Sequence, residues 1–594
     1  MVMLIGESYM AGIIIIGAVF TVLLELNKNS LLGWIIAAGI LLGYHFIRRK
    51  YLRKRSIWLR ISGWFALIAV LITVLIGTPG PYRLHPAAGG KDLQITDIVT
   101  VEQGQLTGVV TEDGRVEVYA GIPYAKPPVG DLRWKEPQDP ESWEGVLAAD
   151  HFAPMSMQPD NGNIYGSLAS IIGYHDYRIT LEDNYRDMMS EDSLYLNIWK
   201  PAGKLHNAPV LVYIHGGSLM TGQPWYADYS GEGLARDGII VVNMGYRLGV
   251  FGFYADPELA EESPNGTTGN YGLLDQIKAL EWVQENIAAF GGDPDNVTLA
   301  GESAGSACVS ALCTSPLAEG LFRRVIGESS TTTARYPAHS YRALEDAYAA
   351  AEATKDRFGA ETLEDLRNIP AEQLVSATDI NHHITIDGYV LTESPYESYR
   401  KGIHNEESIL HGYNRTEGNL FLILDSTNRN NYENKVRGYF GTYADEVLEL
   451  YPASDDKEAS GSWQDIYSAV FFSYGHHCWT QQALDNGIPV YEYWFTKDNG
   501  RLGANHGGEE VYFYGNIPEH SRLYDETDKA LGDVMHRYFV NYIAAGDPNG
   551  EGLPEWKPVA EPGMVFELGA EIGPVPEPYV PLHAVLDRMQ KEAE

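Results

Sequence analysis

The residues best placed to do chemistry lie in Gly301-Glu302-Ser303-Ala304-Gly305. Residues 297–300 before them have strand character, and a small-residue, helix-compatible stretch follows through Leu312. A serine at such a junction sits on a sharp strand-to-helix turn with its hydroxyl exposed. Gly301 and Gly305 leave room where a Cβ would meet neighbouring backbone, and the helix N-terminus favours negative charge nearby. Ser303 therefore reads as a nucleophile; the plain alternative is a Gly-rich turn with a bystander serine.

A serine hydroxyl needs a base, commonly a histidine held by a carboxylate, and donors facing the oxyanion that forms under attack. After a serine on this kind of turn, the acid and then the histidine follow in chain order. Of the 17 histidines, His506 has the most suitable surroundings: glycines on both sides, then the strand-like run Val511-Tyr512-Phe513. Glu417 follows the short apolar run 408–410 in a polar loop and is the matching acid, although a loop glutamate is ordinarily just solvated. Gly216-Gly217 comes directly after the apolar run 208–214, where backbone N–H groups can point into a site instead of a ladder.

The elements that must hold these groups follow an alternating order. Residues 99–118 alternate around the turn 112–115, and a strand is expected near 194–199. The runs 208–214 and 239–242 are continuously apolar, as in strands buried on both faces of a parallel sheet. A helix opens at 270–276 and leads through Gly291-Gly292 into the Ser303 strand. Strand–helix–strand order predicts an α/β fold with a mostly parallel central sheet.

Jointly these segments resemble the type-B carboxylesterases, which include bacterial para-nitrobenzyl esterases and cholinesterases. The resemblance rests on Gly121-Ile122-Pro123-Tyr124-Ala125, Glu191-Asp192-Ser193-Leu194, His215-Gly216-Gly217, Tyr246-Arg247-Leu248-Gly249, Gly301–Gly305, Thr416-Glu417-Gly418, Asn505-His506-Gly507 and Ala545-Gly546-Asp547-Pro548. It covers roughly residues 95–580 and implies an α/β-hydrolase fold with Ser303, Glu417 and His506 as the triad. It implies backbone oxyanion donors at Gly217, Ser218 and Ala304, with Gly216, Glu302 and Ser329 in support. Many relatives carry Gly or Ala at the Ser218 position. Animal relatives carry a paired cysteine where Ser193 stands, and cholinesterases a cation-binding Trp where this chain reads Leu181-Glu182-Asp183-Asn184-Tyr185. Choline-ester specificity is therefore not expected.

Three apolar stretches precede this region, at 8–24, 31–47 and 61–82. Seventeen helical residues span about 25 Å, the short end for a hydrocarbon core of about 30 Å. Three transmembrane helices are expected, with two spans plus an interfacial helix as the rival. The first stretch lacks the basic leader of a signal peptide. Seven basic residues between Arg48 and Arg60 face one, Lys28, in the other loop. The positive-inside rule then makes the protein multi-pass in the cell membrane, with the hydrolase domain extracytoplasmic. The expected organisation is a membrane anchor at 1–78, a Pro/Gly-rich linker at 79–94 and the hydrolase domain at 95–594.

Residues 1–90 hold nine Lys/Arg against two acids, and the rest of the chain 34 against 78, so the body is strongly acidic. Such a body repels nucleic acid, which is excluded as a partner. Cys308, Cys313 and Cys478 form no disulfide framework or metal spacing. The pairs His382-His383 and His476-His477, read as strand residues, would point to opposite faces with no carboxylate suitably spaced. Neither a metal nor a cofactor is expected. The sequons at Asn265, Asn296 and Asn414 read as chance, since a glycan at Asn414 would obstruct Glu417. The resulting expectation is a membrane-anchored serine carboxylesterase acting on a small-molecule ester. The alternative is a non-catalytic adhesion or receptor protein on the same fold, against which the intact Ser, Glu, His and Gly-Gly set argues. Nothing in the sequence selects the ester or an oligomeric state.

Overall fold

The structure is a computed structural model that describes residues 9–90, 92–159, 186–338, 340–498, 500, 502–519, 521 and 523–593. The segment 181–185 lies outside the described residues. Two compact units are separated at Leu84/His85, and residues 186–188 belong with the N-terminal one.

In the N-terminal unit, α1 (Tyr9–Leu26), α2 (Leu31–Ile47) and α3 (Ile57–Gly77) pack through Phe20, Leu24, Tyr44, Trp64 and Leu71. The third helix starts four residues before the expected stretch and takes in Arg60. Asn29 ties the first turn to the end of α3, donating to the Leu75 and Thr78 carbonyls at 2.8 Å each. All three helices, with α2 continued through the π-helical turn Arg48–Leu52, are long and apolar enough to cross a membrane.

The larger unit begins inside the stretch read as a tether. The Ala87 amide donates to the Asp150 carbonyl at 2.9 Å, and the Phe152 amide to the His85 carbonyl at 2.8 Å. Its centre is a sheet of 11 strands. In chain order these are β1 (Val109–Val110), β2 (Val116–Pro123), β3 (Tyr195–Pro201), β4 (Ala208–Ile214), β5 (Ile240–Met244) and β6 (Gly292–Glu302). β7 (Arg324–Glu328), β8 (Ile409–Asn414), β9 (Val490–Phe495), β10 (Met564–Leu568) and β11 (Ile572–Pro576) complete it. The order across the sheet is β11-β10-β9-β8-β7-β6-β4-β5-β3-β2-β1. Pairs from β5 through β4, β6, β7, β8 and β9 to β10 are parallel, and both margins are antiparallel.

Strand β4 explains why the sheet needs cover on both faces. Val210, Val212 and Ile214 join one core, while Leu211 and Tyr213 join the other. Successive side chains point to opposite faces of a strand, so a run buried on both sides must be apolar throughout. Two local readings differ from the structure. Val511-Tyr512-Phe513 lies in the short helix Glu510–Phe513, and His476-His477 lies in a helix, α7 (Tyr474–Asp485), which continues a π-helical turn at Ala469–Ser473.

Candidate active site

Strand β6 ends at Glu302, and α5 (Ala304–Leu312) starts one residue after Ser303. Ser303 therefore has to turn the chain by itself, and its backbone sits at φ 54°, ψ −124°. That region is rarely occupied by residues with a side chain, and strain of this kind costs on the order of 1–3 kcal/mol. The turn is held by the Ser303 amide donating to the Glu328 carbonyl at 2.8 Å. It also needs two glycines. A Cβ on Gly305 would lie 2.0 Å from the Ile214 carbonyl oxygen, and one on Gly301 would lie 2.5 Å from Gly305.

The Gly216-Gly217 loop faces this turn. A Cβ on Gly216 would come within 2.7 Å of the Glu302 carbonyl oxygen and 3.0 Å of the Ser303 Cβ. Gly217 and Ser218 adopt positive φ, 107° and 57°, which frees their amides from any ladder. Among the described residues neither amide has an acceptor. Ala304 opens α5, so its amide is one of the orphan donors of a helix start. Buried groups orient the loop: the Tyr246 hydroxyl donates to the His215 carbonyl at 2.8 Å, and His215 Nδ1 donates to the Gly216 carbonyl at 2.8 Å. Burial pushes the His215 imidazole down to about 4.

His506 and Glu417, 89 residues apart, meet in the interior. His506 Nδ1 lies 2.6 Å from Glu417 Oε2, and the Asn414 amide donates to Glu417 Oε1 at 2.7 Å. Both carboxylate oxygens are thus engaged, which leaves the Nε2 edge of His506 as its working edge. That edge lies 3.1 Å from Glu302 Oε1, off the line a hydrogen bond requires. Among the described residues the Ser303 hydroxyl has no hydrogen-bond partner, so the Ser–His contact is not made in this geometry. Catalytic hydrogen bonds commonly tighten only when substrate is bound. Phe421 and Phe472 pack on the imidazole with ring centroids at 5.1 and 4.8 Å.

The Ser329 hydroxyl makes its hydrogen bond to a glutamate and not to His506. It donates to Glu509 Oε1 at 3.0 Å, as does the Tyr493 hydroxyl at 3.1 Å, and the Asn414 side chain donates to Glu509 Oε2. Behind the turn, Glu302, Glu328, Glu509 and Glu510 are all buried. Burial, reinforced by their mutual repulsion, pushes Glu302, Glu328 and Glu510 well above the usual carboxylate range. Glu509 is lifted to about 6 by burial and by the Glu417 charge, against the pull of the Asn414 hydrogen bond. Glu302 was expected beside the nucleophile, but Glu328, Glu509, Glu510 and the two phenylalanines were not singled out from the sequence. Glu509, Glu510 and Phe421 adjoin the His506 and Glu417 motifs, but only packing shows them buried or stacked.

The Carboxylesterase family model matches residues 95–579. The chain belongs to the carboxylesterase family. It is 32% identical over 542 residues to the fumonisin B1 esterase of Sphingopyxis macrogoltabida, covering 87% of this chain and 94% of that protein. It is 33% identical over 475 residues to the para-nitrobenzyl esterase of Bacillus subtilis, covering 77% and 91%. Among solved structures, the Geobacillus stearothermophilus carboxylesterase EST55 aligns with a TM-score of 0.69 at 32% identity, over 82% of this chain and 99% of that one. A solved PNB esterase aligns equally well, with a TM-score of 0.69 at 31% identity. The larger unit is thus an α/β-hydrolase domain, and the enzyme is a carboxylic-ester hydrolase acting on small-molecule esters. The three apolar helices lie before the matched region.

Proposed function

We propose that this carboxylesterase works through a covalent acyl-enzyme on Ser303. The serine oxygen attacks the ester carbonyl carbon while His506 takes its proton, and the negative charge moves onto the carbonyl oxygen. The free amides of Gly217, Ser218 and Ala304 receive that oxyanion. Collapse of the tetrahedral intermediate breaks the bond to the alcohol, which leaves with the proton from His506. Water, deprotonated by His506, then attacks the acyl carbon, and the acid departs as Ser303 recovers its proton. Glu417 keeps the ring oriented and balances the imidazolium. The observation that carries this reading is the His506–Glu417 pair at 2.6 Å, whose free Nε2 edge lies 3.1 Å from Glu302, the residue next to the strained Ser303 turn. A fluorophosphonate probe should label Ser303 in wild-type protein and fail on Ser303→Ala. Peptide mapping that found the label elsewhere would overturn the assignment.

The three N-terminal helices are read as a multi-pass anchor. Their outward faces carry Ile14, Ile35, Phe65 and Ile76, each at least 62% exposed, an apolar surface too extensive for water. The seven basic residues from Arg48 to Arg60 favour the orientation that leaves the hydrolase domain outside the cytoplasm.

A further inference from the structure

Outside the active site, α7 brings His477 against two residues from the end of the chain. Glu577 follows β11, and His583 lies on the C-terminal helix α10 (Val580–Glu592). All three are buried, and one ligand-capable atom from each lies within 4.8 Å of the others. His477 Nδ1 is 3.4 Å from Glu577 Oε2, and His583 Nδ1 is 2.9 Å from Glu577 Oε1.

The hydrogen bonds around His583 decide what this arrangement lacks. The Ser473 hydroxyl donates to the Ala469 carbonyl at 3.2 Å. It therefore accepts from His583 Nε2, 2.9 Å away. In the neutral imidazole that leaves Nδ1 with a bare lone pair, 2.9 Å from the Glu577 carboxylate. Both Nδ1 of His583 and Oε1 of Glu577 are buried without a hydrogen bond, despite their short separation. A lone pair this close to a carboxylate oxygen in a dry interior calls for a positive charge, either a proton on Nδ1 or a metal ion.

We propose that His477, Glu577 and His583 bind a zinc-class divalent cation. Zinc takes imidazole nitrogen and carboxylate oxygen at about 2.0–2.2 Å, which puts tetrahedral ligand atoms about 3.3 Å apart. The two measured separations, 2.9 and 3.4 Å, bracket that edge. The outer shell also suits a metal. Ser473 fixes the ring of His583, and the far nitrogen of His477 meets the Gln481 side-chain amide at 2.8 Å with Asp587 Oδ2 at 3.7 Å, neighbours that hold the imidazole in place. The second Glu577 oxygen or a water completes the sphere. Such an ion would tie α10 to α7. Phe472, beside Ser473, packs on His506, so the staple would also steady one wall of the active site.

The test uses untagged full-length protein in detergent, produced in zinc-supplemented and zinc-depleted media and analysed for metal by mass spectrometry. We expect about one zinc per folded chain after supplementation, and an unfolding midpoint about 3 °C above that of the depleted protein. His583→Gln and Glu577→Gln should fold, as judged by circular dichroism, yet hold no zinc and show no such rise. Protein from cobalt-supplemented medium gives a readout that needs no variant: a tetrahedral site should add strong visible absorption. Folded wild type without metal or cobalt bands would leave a protonated His–Glu–His ion-pair cluster as the explanation and end the proposal. So would equal zinc in wild type and both variants.

Discussion

His506 presents Nε2 to Glu302 Oε1 at 3.1 Å while its Nδ1 is held by Glu417 at 2.6 Å. One imidazole is therefore flanked by two carboxyl groups in different surroundings. Glu417 accepts from the Asn414 amide and is matched to the histidine, whereas burial and neighbouring acids keep Glu302 in its neutral form well above the usual carboxylate range.

A neutral Glu302 is mimicked by glutamine. Glu302→Gln should keep kcat/KM at pH 7 within about threefold. As pH rises and Glu302 ionises, its carboxylate becomes an acceptor for an Nε2–H of His506, 3.1 Å away, and a proton held on that edge removes the lone pair that must take the Ser303 proton. The wild-type profile should then fall on the alkaline side while the variant holds its plateau. Coincident alkaline limbs for a chromogenic ester would refute this.

For the triad, Ser303→Ala and His506→Ala should each lower kcat by about 10⁶, and Glu417→Gln by about 10⁴. The double variant Ser303→Ala/His506→Ala should lose little more, because the two act as one unit. Near-wild-type activity in Glu417→Gln would remove it from the mechanism. Asp425, the nearest alternative acid in the sequence, is taken by Lys435 at 2.5 Å and by Thr427.

The Gly216 contact with the nucleophile turn should be intolerant of a methyl group. Gly216→Ala would press on the Glu302 carbonyl and the Ser303 Cβ, and a displacement approaching 1 Å costs about 10²-fold in rate. We expect a folded protein with kcat reduced by that order. Gly305→Ala would instead drive α5 off β4 at the Ile214 carbonyl and destabilise the domain by about 1–3 kcal/mol, read from the midpoint of thermal unfolding.

Glu509 sets a sign for the pH dependence of stability. Its carboxyl rises from an ordinary 4.5 to about 6 on folding. A group raised in the folded state contributes stability that is fully present below about 4.5 and is lost as pH climbs through about 6. The difference of about 1.5 units corresponds to about 2 kcal/mol. Glu509→Gln cannot ionise, so its stability relative to wild type should improve by about that amount between pH 4.5 and pH 7.5. An unchanged difference across that range would show that Glu509 does not titrate there.

Strand β4 was legible to the residue because burial on both faces writes a continuous apolar run. Ser303, Glu417 and His506 were legible because glycines and fixed neighbours surround them. The short run 511–513 was not, since a few apolar residues fit a helix as well as a strand. Nor was the burial of the acids around Glu302. A carboxylate looks solvated in any sequence, and only the packing of β6, β7 and the 506–510 segment puts Glu302, Glu328, Glu509 and Glu510 in one interior. The His477–Glu577–His583 cluster joins segments about a hundred residues apart, beyond the reach of any local pattern.

The orientation can be tested on intact cells. Ala87 is pinned to Asp150, so external protease should cut around 88–91 and release an active fragment of about 500 residues if the domain lies outside. Protection until lysis would reverse the topology.

Cys308, Cys313 and Cys478 are all buried and unpaired, and burial pushes the Cys308 and Cys478 thiols up to about 12. The native chain is thus silent to thiol reagents while folded. A single cysteine introduced at Lys28 or Arg53 would be the one group a membrane-impermeant maleimide could reach. Nature has already supplied the blank background that site-by-site accessibility mapping ordinarily demands, with no endogenous thiol to remove and no cross-link to disturb.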